Sequence, residues 1–181
     1  LQNGINEERM ASVVGWGKTV GCIASTIAVE LDRPGHINRN VKLGGTERMI
    51  FSVGEVHGRI TPRAEKLSEM LACIDSSEVT TNLWGKRWSK LMVNCMRNPV
   101  SAATGRGGNA NDRDDRTRRL AVRLAGEAGR IGVALGYELG FVYKIDPKLL
   151  MAAEQGDSDA MAQCEEKLLA KTTFRNDDNR P

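Results

Sequence analysis

Residues 88–98 read WSKLMVNCMRN, an apolar run interrupted by Lys90, Asn94 and Asn98. A helix turns by about 100° per residue, so each four-residue step leaves the next polar group about 40° from the last. One cation and two amides thus form a slowly drifting stripe, flanked by Leu91, Met92, Val93, Cys95 and Met96. A helix apolar on its remaining faces is buried, and buried amides or ammonium groups cost free energy unless they are paired. Two readings follow. In one, Lys90 extends its head to water and the asparagines cap neighbouring loops. In the other, the stripe is a pocket wall at a domain junction, where an ammonium group protonates a carbonyl oxygen as hydride reaches the carbon.

Outward from this stretch the two sides of the chain differ. From Leu83 onward the pattern is helical: a first helix, interrupted or kinked at Pro99, which lacks an amide hydrogen; a GRGGNAND loop; then an amphipathic helix with Leu120, Leu124, Ala128, Ile131 and Leu135 towards the core. Residues 146–172 give one or two further helices, with Gly156 as the break, before the polar tail FRNDDNRP. Before residue 80, β-branched stretches alternate with turns. NEERMASVVG is a short helix after a QNG turn, TVGCIASTIAVEL one strand, and DRPGHINRN a hairpin approach punctuated by Pro34-Gly35. MIFSVGEV is a further strand ending at Gly54, and SEVTTN a short one. Between them TPRAEKLSEMLACI is a helix with Thr61 as N-cap, Pro62 at its first position, and Ala64, Leu67, Leu71 and Ile74 on one face. A boundary is expected near residue 80, with a β-containing part over 1–80 and an all-α part over 81–181.

Composition narrows the function classes. With 181 residues there is length for one domain or two small ones. A net charge of +3 is too weak for an electrostatic nucleic-acid binder, and 4% aromatics is too sparse for a stacking platform. No apolar run approaches a membrane span. Cys22, Cys73, Cys95 and Cys164 are scattered without a CxxC pair, and with only His36 and His57 no zinc set assembles. Free thiols of this kind point to a reducing compartment, the cytoplasm.

Three other motifs have plainer readings. VVGWGKTVG imitates glycine-rich phosphate loops, but its GxGxxxG is one residue too long and Ser12 stands where a P-loop requires glycine. The sequence after it is strand-like, so the stretch is a turn into a strand. In DRDDRTRR, acids alternate with bases, as on a solvated helix face with local ion pairs. Cys95 lies on the apolar side of its helix and reads as packing.

NLWGKRWSKLMVNCMRNPVSAATG, with LQNGINEE, PGHINRNVKLGG and MIFSVGEVHGRITPRAEKLSEML, resembles the ketopantoate reductases, NADPH-dependent 2-dehydropantoate 2-reductases. The resemblance runs from residue 1 to about 135. It implies α/β plus all-α architecture: the second half of a Rossmann-type cofactor domain with an antiparallel hairpin, followed by part of a helical substrate domain. It implies Lys90 as general acid, Asn94 and Asn98 on the substrate, and Asn3 of the QNG turn towards cofactor and substrate. Asn109 is nearest to the family's next substrate asparagine, offset by one residue. The expected ligands are NADPH and a small 2-oxo acid, with no nucleic-acid or membrane partner, and a homodimer is compatible with the intact protein. The family's GxGxxG turn and the lysine of its mid-Rossmann loop do not occur in this sequence, and its later serine and glutamate would fall past Pro181. The chain is therefore expected to be an internal piece, inactive alone, of a reductase for ketopantoate or another 2-oxo acid. A non-catalytic helical interaction module, with the stripe used in dimer packing, is the alternative from another class.

Overall fold

The computed structural model describes residues 3–172 except 26, 28 and 47; the polar tail lies outside the described residues. The chain divides into two compact units, Leu1–Arg87 and Trp88–Pro181.

In the first unit, α1 (Glu7–Val14) follows the QNG turn and stops at Gly15, whose φ of +85° suits glycine. A short 3-10 turn, Trp16–Lys18, leads into β1 (Val20–Ala24). The expected single strand over 19–31 is instead two. β1 ends where the Ser25 amide donates to Ile50 O, and β2 (Val29–Arg33) leaves to pair with β3 (His36–Arg39) in a separate exposed hairpin. Pro34 followed by Gly35 at φ +82° supplies type II turn chemistry between them. Thr26 and Ala28 of the expected strand lie outside the described residues.

β4 (Phe51–Glu55) is buried throughout and is the centre of a three-stranded sheet ordered β1-β4-β5, antiparallel to β1 and parallel to β5 (Ser77–Val79). The crossover between the parallel strands is α2 (Pro62–Ala72). Its start is the one expected: Thr61 Oγ1 accepts from the Ala64 amide at 3.3 Å. Ala64 is buried and Leu67 and Leu71 pack beside Phe51 and Val53. Ile74, expected on this face, lies past the helix end and is exposed.

The second unit is helical. α3 (Leu83–Thr104) begins in the first unit and runs through Pro99 without the expected interruption. The expected GRGGNAND loop contains a helix, α4 (Gly108–Arg113). α5 (Asp115–Ala134), α6 (Pro147–Glu154) and α7 (Ser158–Thr172) follow. Each starts on an aspartate: Asp114 accepts from the Arg116 and Thr117 amides, Asp146 from Lys148, and Asp157 from Asp159 and Ala160. Gly156, at φ +103°, separates α6 from α7 as expected.

α5 bears out part of its expected core face, with Ala128 buried and Leu124 packed against the core, but the rest of the inward side is different. Leu120, Ile131 and Leu135 are about half exposed, whereas Ala121, Val122, Ala125, Gly126, Ala128 and Gly129 are buried. The reason is close approach. A Cβ on Gly126 would collide with Leu150 O of α6, and one on Gly132 with the Trp88 ring. The core around this face holds Met92, Met96, Val122, Leu150, Cys164 and Leu168, all fully buried. Among the described residues no helix is long and apolar enough to cross a membrane.

Candidate active site

The rotation of α3 is fixed by partners on one side. Within the second unit, Trp88 Nε1 donates to Ala128 O at 2.7 Å, and Ser89 Oγ accepts from the Gly140 amide at 2.8 Å. Met92, Met96 and Val100 then enter the core. At about 100° per residue this sets Lys90, Asn94 and Asn98 on roughly the opposite side of the helix. The apolar and polar faces of the run are thus physically distinct.

Lys90 and Asn94 are half-buried and Asn98 is exposed. The side chains of all three make no hydrogen bond or ion pair among the described residues. Lys86, one turn earlier on the same longitude, differs. Its ammonium is closed by Glu78 of β5, which also accepts from Ser52 Oγ at 2.7 Å. Burial without a counter-charge pulls the Lys90 ammonium below the ordinary lysine value of 10.5, because desolvation penalises its charged form. The stripe is therefore a partly desolvated, unpaired donor set. It suits an oxygen-rich ligand that needs a proton and two amide contacts.

The structure brings Lys90, Asn94 and Asn98 onto one face of one helix. Asn109 is half-buried in the first turn of α4. Asn3 lies in the first unit, exposed, its carbonyl accepting from Asn6 Nδ2 at 2.7 Å beside Gly4 at φ +79°. His36 and His57 are exposed, and Cys95 packs against the helical core. Among the described residues no histidine, cysteine and carboxylate group has the makings of a metal site.

Sequence reasoning passed over the neighbours of the stripe. Arg97 is largely buried, forms an ion pair with Asp112 of α4 and lies over the Tyr143 ring at 5.0 Å. Asn111, also of α4 and buried, donates to Arg106 O at 3.1 Å and accepts from Thr104 Oγ1 at 3.0 Å. The available signal was the i, i+7 spacing of Lys90 and Arg97, which puts both on one longitude.

A mixed three-stranded sheet, joined through one long stripe-bearing helix to a helical unit, defines the class: a two-part protein, α/β and then all-α. Its relatives narrow this. The family model described as "Ketopantoate reductase PanE/ApbA C terminal" matches residues 82–174, more than half of the chain. A 2-dehydropantoate 2-reductase from Mesorhizobium japonicum is 32% identical over 145 residues, which are 80% of this chain and 42% of that protein. The crystal structure of 2-dehydropantoate 2-reductase from Geobacter metallireducens aligns over the whole chain and 52% of its own, with a TM-score of 0.70 at 23% identity. The chain belongs to the ketopantoate reductase family. It spans about half the length of these two relatives.

Proposed function

We propose that the protein carrying this chain is a cytoplasmic NADPH-dependent reductase of a small 2-oxo acid, converting 2-dehydropantoate to pantoate for pantothenate and coenzyme A synthesis. One observation carries the reading: in a member of this family, a half-buried lysine and two asparagines on one helix face are left without side-chain partners among the described residues. Residues 1–80 would be part of a Rossmann-type cofactor domain and residues 81–181 part of a helical substrate domain.

The bound cofactor would supply hydride to C2 of the ketone. Asn3 would contact that cofactor. Its side-chain amide has no partner among the described residues, and the glycine after it lets the backbone turn away. Lys90 would hold its ammonium hydrogen on the ketone oxygen and transfer a proton there as negative charge grows, giving the 2-hydroxy acid. Its lowered pKa eases that transfer. Asn94, Asn98 and Asn109 would hydrogen-bond the hydroxyl and carboxylate of the substrate and set its orientation.

The test is loss of NADPH absorbance when the full-length protein is given 2-dehydropantoate and a panel of other 2-oxo acids. Turnover of 2-dehydropantoate well above the rest is expected. No turnover of any of them would overturn the reading.

A further inference from the structure

Arg97 and Ser101 lie seven and eleven residues after Lys90, so each stands within about 20° of it around the α3 axis. Both reach α4. Arg97 pairs with Asp112, and Ser101 Oγ is 3.5 Å from Asn111 Nδ2, which also serves Arg106 O. From the other side, Arg118 of α5 donates to Asp112 O at 2.7 Å. α4 therefore meets α3 on the longitude of the stripe, its Asp112 and Asn111 facing Arg97 and Ser101, one to two turns beyond Asn94. The guanidinium of Arg97 is also fixed by Tyr143, carried on a tight turn. Tyr143 and Lys144 there have φ of +51° and +65°, a conformation that L residues seldom keep unless their surroundings hold it.

We propose that α4 is the end wall of the substrate site and that Arg97, through Asp112, is the positioning residue that holds it there. The proposal rests on the 2-oxo acid reading above. Six residues make too short a helix to stand alone. α4 packs on α5 and α7, and the Arg97 ion pair and the Asn111 contacts fix it, and with it Asn109, against α3. Arg97 acts on substrate binding through α4, with no part in proton transfer.

Steady-state kinetics of Arg97→Met and Asp112→Asn in the full-length enzyme test this. Both variants should raise KM for the 2-oxo acid about 10- to 100-fold, as a displaced substrate contact does. kcat should stay within about threefold and KM for NADPH should not move. If Arg97→Met fails to fold, Asp112→Asn, which keeps shape and an acceptor, carries the same test. An unchanged KM for the 2-oxo acid, or a joint rise in both KM values with a falling Tm, would overturn it. If the parent enzyme turns over no 2-oxo acid, the functional reading falls. Hydrogen exchange in Asp112→Asn then decides on the positioning. Protection lost over 108–113 but kept over 115–134 supports it, and protection kept in both overturns it.

Discussion

Lys86 and Lys90 stand one turn apart on the same side of α3 and have opposite surroundings. The first is neutralised by Glu78, and the second is half-buried with no counter-charge among the described residues. Under the proposed function, that contrast favours Lys90 over Lys86 as the acid. If Lys90 delivers the proton, reduction needs its ammonium form. Rate should then fall as pH rises through a pKa below 10.5, the direction in which burial moves it. A pH–rate profile of the full-length enzyme checks this, since the alkaline limb should vanish in Lys90→Ala. A limb that persists belongs to another group. In the proposed site Asn98, exposed and next to Arg97, would offer the substrate only a hydrogen bond that ground and transition states share. Asn98→Ala should therefore act mainly on the Michaelis constant, and a comparable loss in kcat would argue for a role in the chemical step.

At the scale of elements, α5 makes the sharpest prediction. Alanine is ordinarily better than glycine inside a helix by about 1 kcal/mol. Gly126→Ala should do the reverse, because the added methyl meets a backbone carbonyl of α6 that cannot rotate away. A loss of about 1–3 kcal/mol in denaturant unfolding is expected, and a gain would mean that α6 yields. The same helix shows where sequence legibility stops. Its existence follows from local chemistry, but of its expected core face only Leu124 and Ala128 turn inward. Leu120, Ile131 and Leu135 outrank the glycines in hydrophobicity, yet interhelical distance is set by the smallest residues. α4 was hidden for a related reason. GRGGNAND has turn composition, and the ion pair and amide contacts that hold α4 come from α3 and α5, outside its own local pattern. The strand expected over 19–31 failed differently, because β-branched content does not show where a strand changes partner. The stripe, by contrast, was legible from spacing alone. Its geometry is internal to one helix.

At the scale of the molecule, each unit has its own anchors. In the first, Glu55 at the end of the central strand accepts two hydrogen bonds of 2.6 Å from Arg63, and Arg63 also reaches Gly17 O. The Arg63 hydrogen bonds hold the Glu55 carboxyl down to about 2, against an ordinary 4.5. A carboxylate depressed by folding stabilises the fold above its unfolded pKa and loses that contribution as pH falls through the folded one. The first unit should therefore lose stability between about pH 4.5 and pH 2, and Glu55→Gln should flatten that slope in acid titrations of unfolding. An unchanged slope would mean that the pair is screened by water. The central claim concerns the other unit, and turnover against substrate affinity in Lys90→Ala of the full-length enzyme tests it most directly. The account predicts a fall in kcat of about 10²- to 10⁴-fold, the usual yield of a general acid, with the Kd for the 2-oxo acid little changed. Turnover near that of the parent enzyme would contradict it.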